Sequence, residues 1–99
     1  MAILYISEFN YIGGGARFPV QGAFQPPVAE QTVIISTSSH QSNAFNTLTN
    51  FVRLHADAIC SIEFGANPTA TTSTARMAAN QTEYFAVVPG QKVAVIPNT

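Results

Sequence analysis

Apolar and polar positions alternate most cleanly over Phe51 to Ala56, FVRLHA, where Val52, Leu54 and Ala56 share one face while Arg53, His55 and then Asp57 line the other. Successive side chains leave a strand on opposite sides, so this pattern predicts a strand with one buried face. Ile59 to Phe64 repeats it, with Cys60, Ile62 and Phe64 on one side and Ser61 and Glu63 on the other. The short link Ala56-Asp57-Ala58 predicts that the two runs pair antiparallel with one wet face. Gln31 to Ser36, QTVIIS, is rich in β-branched residues and predicts a further strand. Ala2 to Ile6, AILYI, predicts an N-terminal strand or docking arm, and Arg76 and Met77 begin a short one.

The last third, Thr82 to Pro97, holds two apolar runs joined by Pro89-Gly90, which predicts a hairpin with Val87 opposite Lys92. In that register one face holds Tyr84, Ala86, Val93 and Val95, and the other Glu83, Phe85, Val87, Lys92, Ala94 and Ile96. A strand pair apolar on both sides needs two covers: a second sheet, and then either the N-terminal arm or another subunit.

Between these runs the chain is broken up. Gly13-Gly14-Gly15 predicts a flexible joint, and neither the Gly-Lys-Ser/Thr ending nor the GxGxxG spacing of a phosphate loop accompanies it. Ala16 to Glu30 carries three prolines and predicts an extended, irregular segment with Phe18 and Phe24 as anchors on its own domain or a neighbour. Thr37 to Asn50 reads as a polar loop around Phe45 and Leu48. Gly65 to Asn80 is a Thr/Ala/Ser loop, long enough to be a binding loop or a segment held by a partner. The sum is an all-β protein, an antiparallel, jelly-roll-like β-sandwich of about six to eight strands. It forms a single domain over 1–99, with 1–30 as N-terminal strand, arm and Gly/Pro-rich segment and 31–99 as sandwich core.

Composition adds the surface. Charged residues are 9% of the chain against about 25% in ordinary soluble domains, while Ser, Thr, Asn and Gln number 30, so the exterior is neutral and hydrogen-bonding. Four scattered cations, Arg17, Arg53, Arg76 and Lys92, and a net charge of −1 offer no field for a polyphosphate, which argues against nucleic acid. The same balance gives little repulsion between copies and favours association. No run approaches the ~20 apolar residues of a membrane helix, and MAILYISEF lacks the features of a secretory signal, so synthesis in a cytoplasm is expected, with any export by another route. Cys60 is the one cysteine and is expected to pack as a small apolar side chain.

Candidate chemistry is thin. Arg53, His55, Asp57 and Glu63 are the only concentration of ionisable groups, and their spacing supplies neither a nucleophile beside a base nor a third and fourth metal ligand. It is the pattern of ordinary cross-strand pairs. His40 has no acidic or cysteine neighbour and is expected to be solvated. No catalytic, cofactor-binding or metal residue is assigned, and the chain is read as a non-enzyme.

In the second half, Arg53-Leu54-His55-Ala56-Asp57, Cys60-Ser61-Ile62, Phe64-Gly65 with Asn67-Pro68-Thr69, Glu83-Tyr84-Phe85, and Gly90 with Lys92-Val93-Ala94-Val95-Ile96 carry a likeness. This half resembles the small β-sandwich structural proteins of tailed bacteriophages found as capsid decoration or cement proteins. The resemblance implies a virion protein on the capsid exterior, tying capsomers together, with the major capsid protein as partner and a homo-oligomer, a trimer being favoured. The expected contacts are Phe9, Tyr11, Phe18 and Phe24, with Phe85 and Val87 from the final hairpin. The alternatives are a neck, tail or fibre protein, or a carbohydrate-binding sandwich module that presents two or three aromatics on one exposed strand face.

Overall fold

The computed structural model describes residues 2–10, 12–14, 19–23 and 25–99, with backbone alone at 12–14 and 19–21, and these form ten strands and no helix. They are β1 (Ala2–Phe9), β2 (Ile12–Gly14), β3 (Pro19–Ala23), β4 (Ala29–Ile35), β5 (His40–Gln41), β6 (Phe51–Ala56), β7 (Cys60–Gly65), β8 (Ala75–Met77), β9 (Gln81–Ala86) and β10 (Lys92–Pro97). Eight of them build two four-stranded antiparallel sheets, β4-β1-β6-β9 and β5-β10-β7-β8. The other two, β2 and β3, pair with each other as a ribbon.

The pairing follows one rule. β7 with β8, β6 with β9 and β5 with β10 are the rungs of a single long hairpin folded at the β7–β8 connection, and successive rungs fall in opposite sheets. A hairpin wound this way is a jelly roll, the sandwich expected from the sequence. Its fourth rung needs a partner for β4, and the strand that supplies it is β1, from the other end of the chain. β1 also joins the rungs by pairing with β6. The roll is thus circularly permuted, with β1 in the place of a strand following β10. The two ends meet at the β6–β7 arch, where Asp57 N donates to Ile3 O at 3.1 Å and Asn98 N to Ile59 O at 3.1 Å.

Both sequence-predicted strand pairs are corrected by this topology. β6 and β7 lie in different sheets and do not pair, and neither do β9 and β10, so Val87 is not opposite Lys92. The Pro89-Gly90 turn does form: Gln91 N donates to Val88 O at 3.2 Å, and Gly90 has φ 86°, as the third position of a type II turn requires. A type II turn twists against a hairpin and splays its strands. The chain therefore arches from one sheet to the other, β9 joining β6 and β10 joining β7.

The core lies between the sheets: Leu4 and Ile6 of β1, Val33 and Ile35 of β4, Val52, Leu54 and Ala56 of β6, Cys60 and Ile62 of β7, and Val93 and Val95 of β10, with Met77 and Phe45. Because β1 is an inner strand, the core reaches outside 31–99, and only the ribbon behaves as an arm. Gly13 and Gly14 belong to β2 and Pro19 to Ala23 to β3, so paired strands replace the expected joint and part of the irregular segment. Gly15 and Phe18 lie outside the described residues. Strands of six to eight residues span about 20–27 Å. The chain measures 47 × 25 × 22 Å, the long dimension having room for a ribbon that continues past the ends of β1 and β4.

Part of the outer face of the second sheet is covered by its own chain. Gln41 Nε2 donates to Asn67 Oδ1 and Pro68 O, both at 2.8 Å, Ala70 N donates to Ser39 Oγ at 2.9 Å, and Asn98 Nδ2 donates to Ser61 Oγ at 2.7 Å and Thr72 O at 3.1 Å. The loop 66–74 is held against that face, and Ala94 and Ser61 beneath it are fully buried. Over Ala94, the second cover expected for β10 is the chain's own loop, where the sequence pattern points to the N-terminal arm or another subunit.

Candidate functional site on the open sheet face

The outer face of the first sheet exposes Tyr5, Glu30, Thr32, Thr82 and Tyr84, and strand register arranges that face in rows, Ile34 and Ile3 making the row before Tyr5. Thr32, Tyr5, His55 and Thr82 form one row across β4, β1, β6 and β9. Glu30, Ser7, Arg53 and Tyr84 form the next. Phe9, Phe51 and Ala86 form a third. Tyr5 and Tyr84 are 42% and 57% exposed, while Phe51, Arg53 and His55 are half-buried between them.

The aromatic rings brace one another. Phe9 stacks on Phe51 with centroids 5.2 Å apart, Phe51 lies 6.4 Å from Tyr84, and Tyr5 lies 6.3 Å from His55. His55 is fixed from the far side, its Nδ1 2.7 Å from Thr82 Oγ1. A shallow groove of about 440 Å³ opens beside Tyr5 and is lined by Ser7, Glu30, Gln31 and Thr32. Aromatic faces stand here beside hydroxyl, carboxylate and guanidinium groups, all carried on strands of one sheet.

The four ionisable residues singled out in the sequence do not gather. Arg53 and His55 are neighbours on this face, Asp57 is exposed past the end of β6, and Glu63 is exposed on the second sheet. His55 is hydrogen-bonded to Thr82 rather than to Asp57. Among the described residues no three His, Cys, Asp or Glu side chains come together where a metal ion could be held. His40 is exposed in β5, and Cys60 is fully buried, which pushes its thiol up to about 11.

Of the expected contact residues, Phe9 is 1% exposed, closed off within the chain and not offered to a partner. Phe85 and Val87 are half-buried and pack inward on the core, Phe85 with its ring centroid 5.2 Å from that of Phe64. Tyr11, Phe18 and Phe24 lie outside the described residues. Two features went unread. Tyr5 and Tyr84 share a face because β6 lies between β1 and β9, a long-range pairing that local alternation does not encode. Glu8, 2% exposed, accepts from Asn46 N at 2.7 Å, Thr49 Oγ1 at 2.8 Å and Gln31 Nε2 at 3.1 Å.

Compared with known proteins, the chain matches no family model, no curated protein and no solved structure. The functional reading rests on the residues and their geometry.

Proposed function

We propose that this chain is a non-enzymatic structural protein of a bacteriophage virion, a capsid decoration or cement protein that binds the shell exterior between capsomers. The observation that carries the reading is the ribbon: β2 and β3 pair with each other and with neither sheet. A strand pair that spends its backbone hydrogen bonds on itself is marginal alone, and a docking partner supplies what it lacks. The partner is the major capsid protein, and copies of the chain join as a homo-oligomer, a trimer being favoured by the resemblance.

The surface suits this role. A neutral, Ser/Thr/Asn/Gln-rich exterior places no strong charge between neighbouring copies, and weak contacts repeated over a shell sum by avidity. The contact is assigned to the ribbon and the chain around it, where Tyr11, Phe18 and Phe24 stand in sequence, while Phe85 and Val87 hold the sandwich together. Jelly rolls serve both capsid and lectin domains, so the fold supports the role only by analogy.

Purified particles of the encoding phage are the test. The chain is expected in many copies, with density spaced over the shell. Density confined to the neck, tail or a fibre would move it to that part of the virion, and its absence from particles would refute the reading.

A further inference from the structure

We propose that the outer face of the first sheet binds a neutral oligosaccharide, with Tyr5 and Tyr84 as stacking platforms and Arg53, Glu30, Ser7 and Thr32 as hydrogen-bonding groups. This site is separate from the ribbon and does not rest on the virion reading. Loop 66–74 covers Ser61 and Ala94 on the outer face of the second sheet, whereas on this face Tyr5 and Tyr84 stand 42% and 57% exposed. What it exposes is mixed: Tyr5 has the apolar row of Ile3 and the 45% exposed Ile34 on one side and the polar row of Glu30, Ser7 and Arg53 on the other, and Tyr84 stands in that polar row.

Sugar chemistry fits that mixture. A pyranose ring has an apolar C–H side, which stacks on an aromatic face, and a rim of hydroxyls, each both donor and acceptor. Arg53 supplies donors only, Glu30 acceptors, and Ser7 and Thr32 both, which together match such a rim. A single cation facing a carboxylate across Ser7 gives no attraction for a polyanion.

Spacing sets the size of the occupant. Tyr5 and Tyr84 are separated by β6 and offset by one row, which places their Cα atoms about 12 Å apart by strand geometry. That interval suits alternate rings of an extended oligosaccharide, with the ring between them over Arg53 and His55. The shallow groove beside Tyr5 brings Ser7, Glu30 and Thr32 to one side of that ring. The platforms are preorganised: His55 and Phe51 back the two tyrosines, and all four sit on strands rather than loops.

The test titrates the isotope-labelled chain with maltohexaose, cellohexaose and chitohexaose, following backbone amides by NMR. At least one is expected to shift the amides of Tyr5, Ser7, Arg53, His55 and Tyr84 while leaving β7 and β10 unmoved. Tyr5→Ala and Tyr84→Ala, both at exposed positions, are each expected to weaken binding at least tenfold, and Glu63→Ala on the opposite sheet to leave it unchanged. No shift with any of the three sugars, or binding that survives the double tyrosine variant, would overturn the proposal. So would an oligomer that the double variant dissolves, because the face would then be an interface between copies.

Discussion

Glu8 occupies the fourth inward position of β1, after Ala2, Leu4 and Ile6, where alternation calls for an apolar side chain. Its three donors are uncharged and come from β4 and from the loop before β6, so one carboxylate ties that loop to the end of the sandwich. Thr49 is fully buried, and its hydroxyl left without an acceptor costs about 1–3 kcal/mol, while Asn46 is exposed and Gln31 Nε2 also donates to Asn43 O at 3.2 Å. Glu8→Ala is therefore expected to lower the unfolding free energy by about 2–3 kcal/mol in urea titration. Glu8→Gln keeps an oxygen for Asn46 and Thr49, sets an amide against that of Gln31, and is expected to cost about 1 kcal/mol. Equal losses for the two variants would contradict this network. The signal was legible, since Glu8 shares the parity of Leu4 and Ile6.

Cys60 gives a residue-scale prediction in pH. Burial raises its thiol from 9.0 to about 11 in the folded chain. The unfolded chain then releases the proton first as pH rises, so the stability Cys60 contributes is complete below about pH 9 and is lost as pH climbs through about 11. Cys60→Ala is expected to show a shallower fall in stability over that window, measured by urea midpoints at each pH, and identical slopes would contradict the assignment.

At the scale of elements, alternation identified strands and faces but not partners. Val52, Leu54 and Ala56 point inward as read, as do Cys60 and Ile62, and Phe64 packs on the same core. Sequence adjacency then misled twice, because a short connection joins two strands equally well as a hairpin within a sheet or as an arch between sheets. The Pro89-Gly90 pair held the distinguishing clue, a type II turn where tight hairpins favour the mirror-image types. Ser61 shows the remaining gap: its parity is outward, yet loop 66–74 and Asn98 cover it, and nothing in a Thr/Ala/Ser composition states where such a loop will lie. Gln41 holds that loop by two hydrogen bonds. Gln41→Ala is expected to cost about 1–2 kcal/mol and to speed protease cleavage within 66–74. Unchanged cleavage would mean that the loop is held by other contacts.

For the whole molecule, the strand order makes a claim about connectivity. Ile3 and Asn98 flank the same arch, and the ribbon is the one link that the permuted roll adds. Joining Thr99 to Met1 through a short Gly/Ser linker and opening the chain between β2 and β3 turns β1 into the strand after β10. That permutant is expected to fold with the same amide NMR pattern over β4 to β10 and a melting temperature within a few degrees of the parent. A chain that fails to fold would show that the ribbon is part of the sandwich's stability.

The ribbon is also where the functional account stands or falls. The decisive measurement is a titration of purified shells lacking the chain, once with the intact protein and once with a variant whose residues 11–24 are replaced by a short turn. The intact chain is predicted to saturate the shells at a fixed number of copies, and the shortened one, still folded, to show no saturable binding. Equal binding by both, or none by the intact chain, would contradict the account.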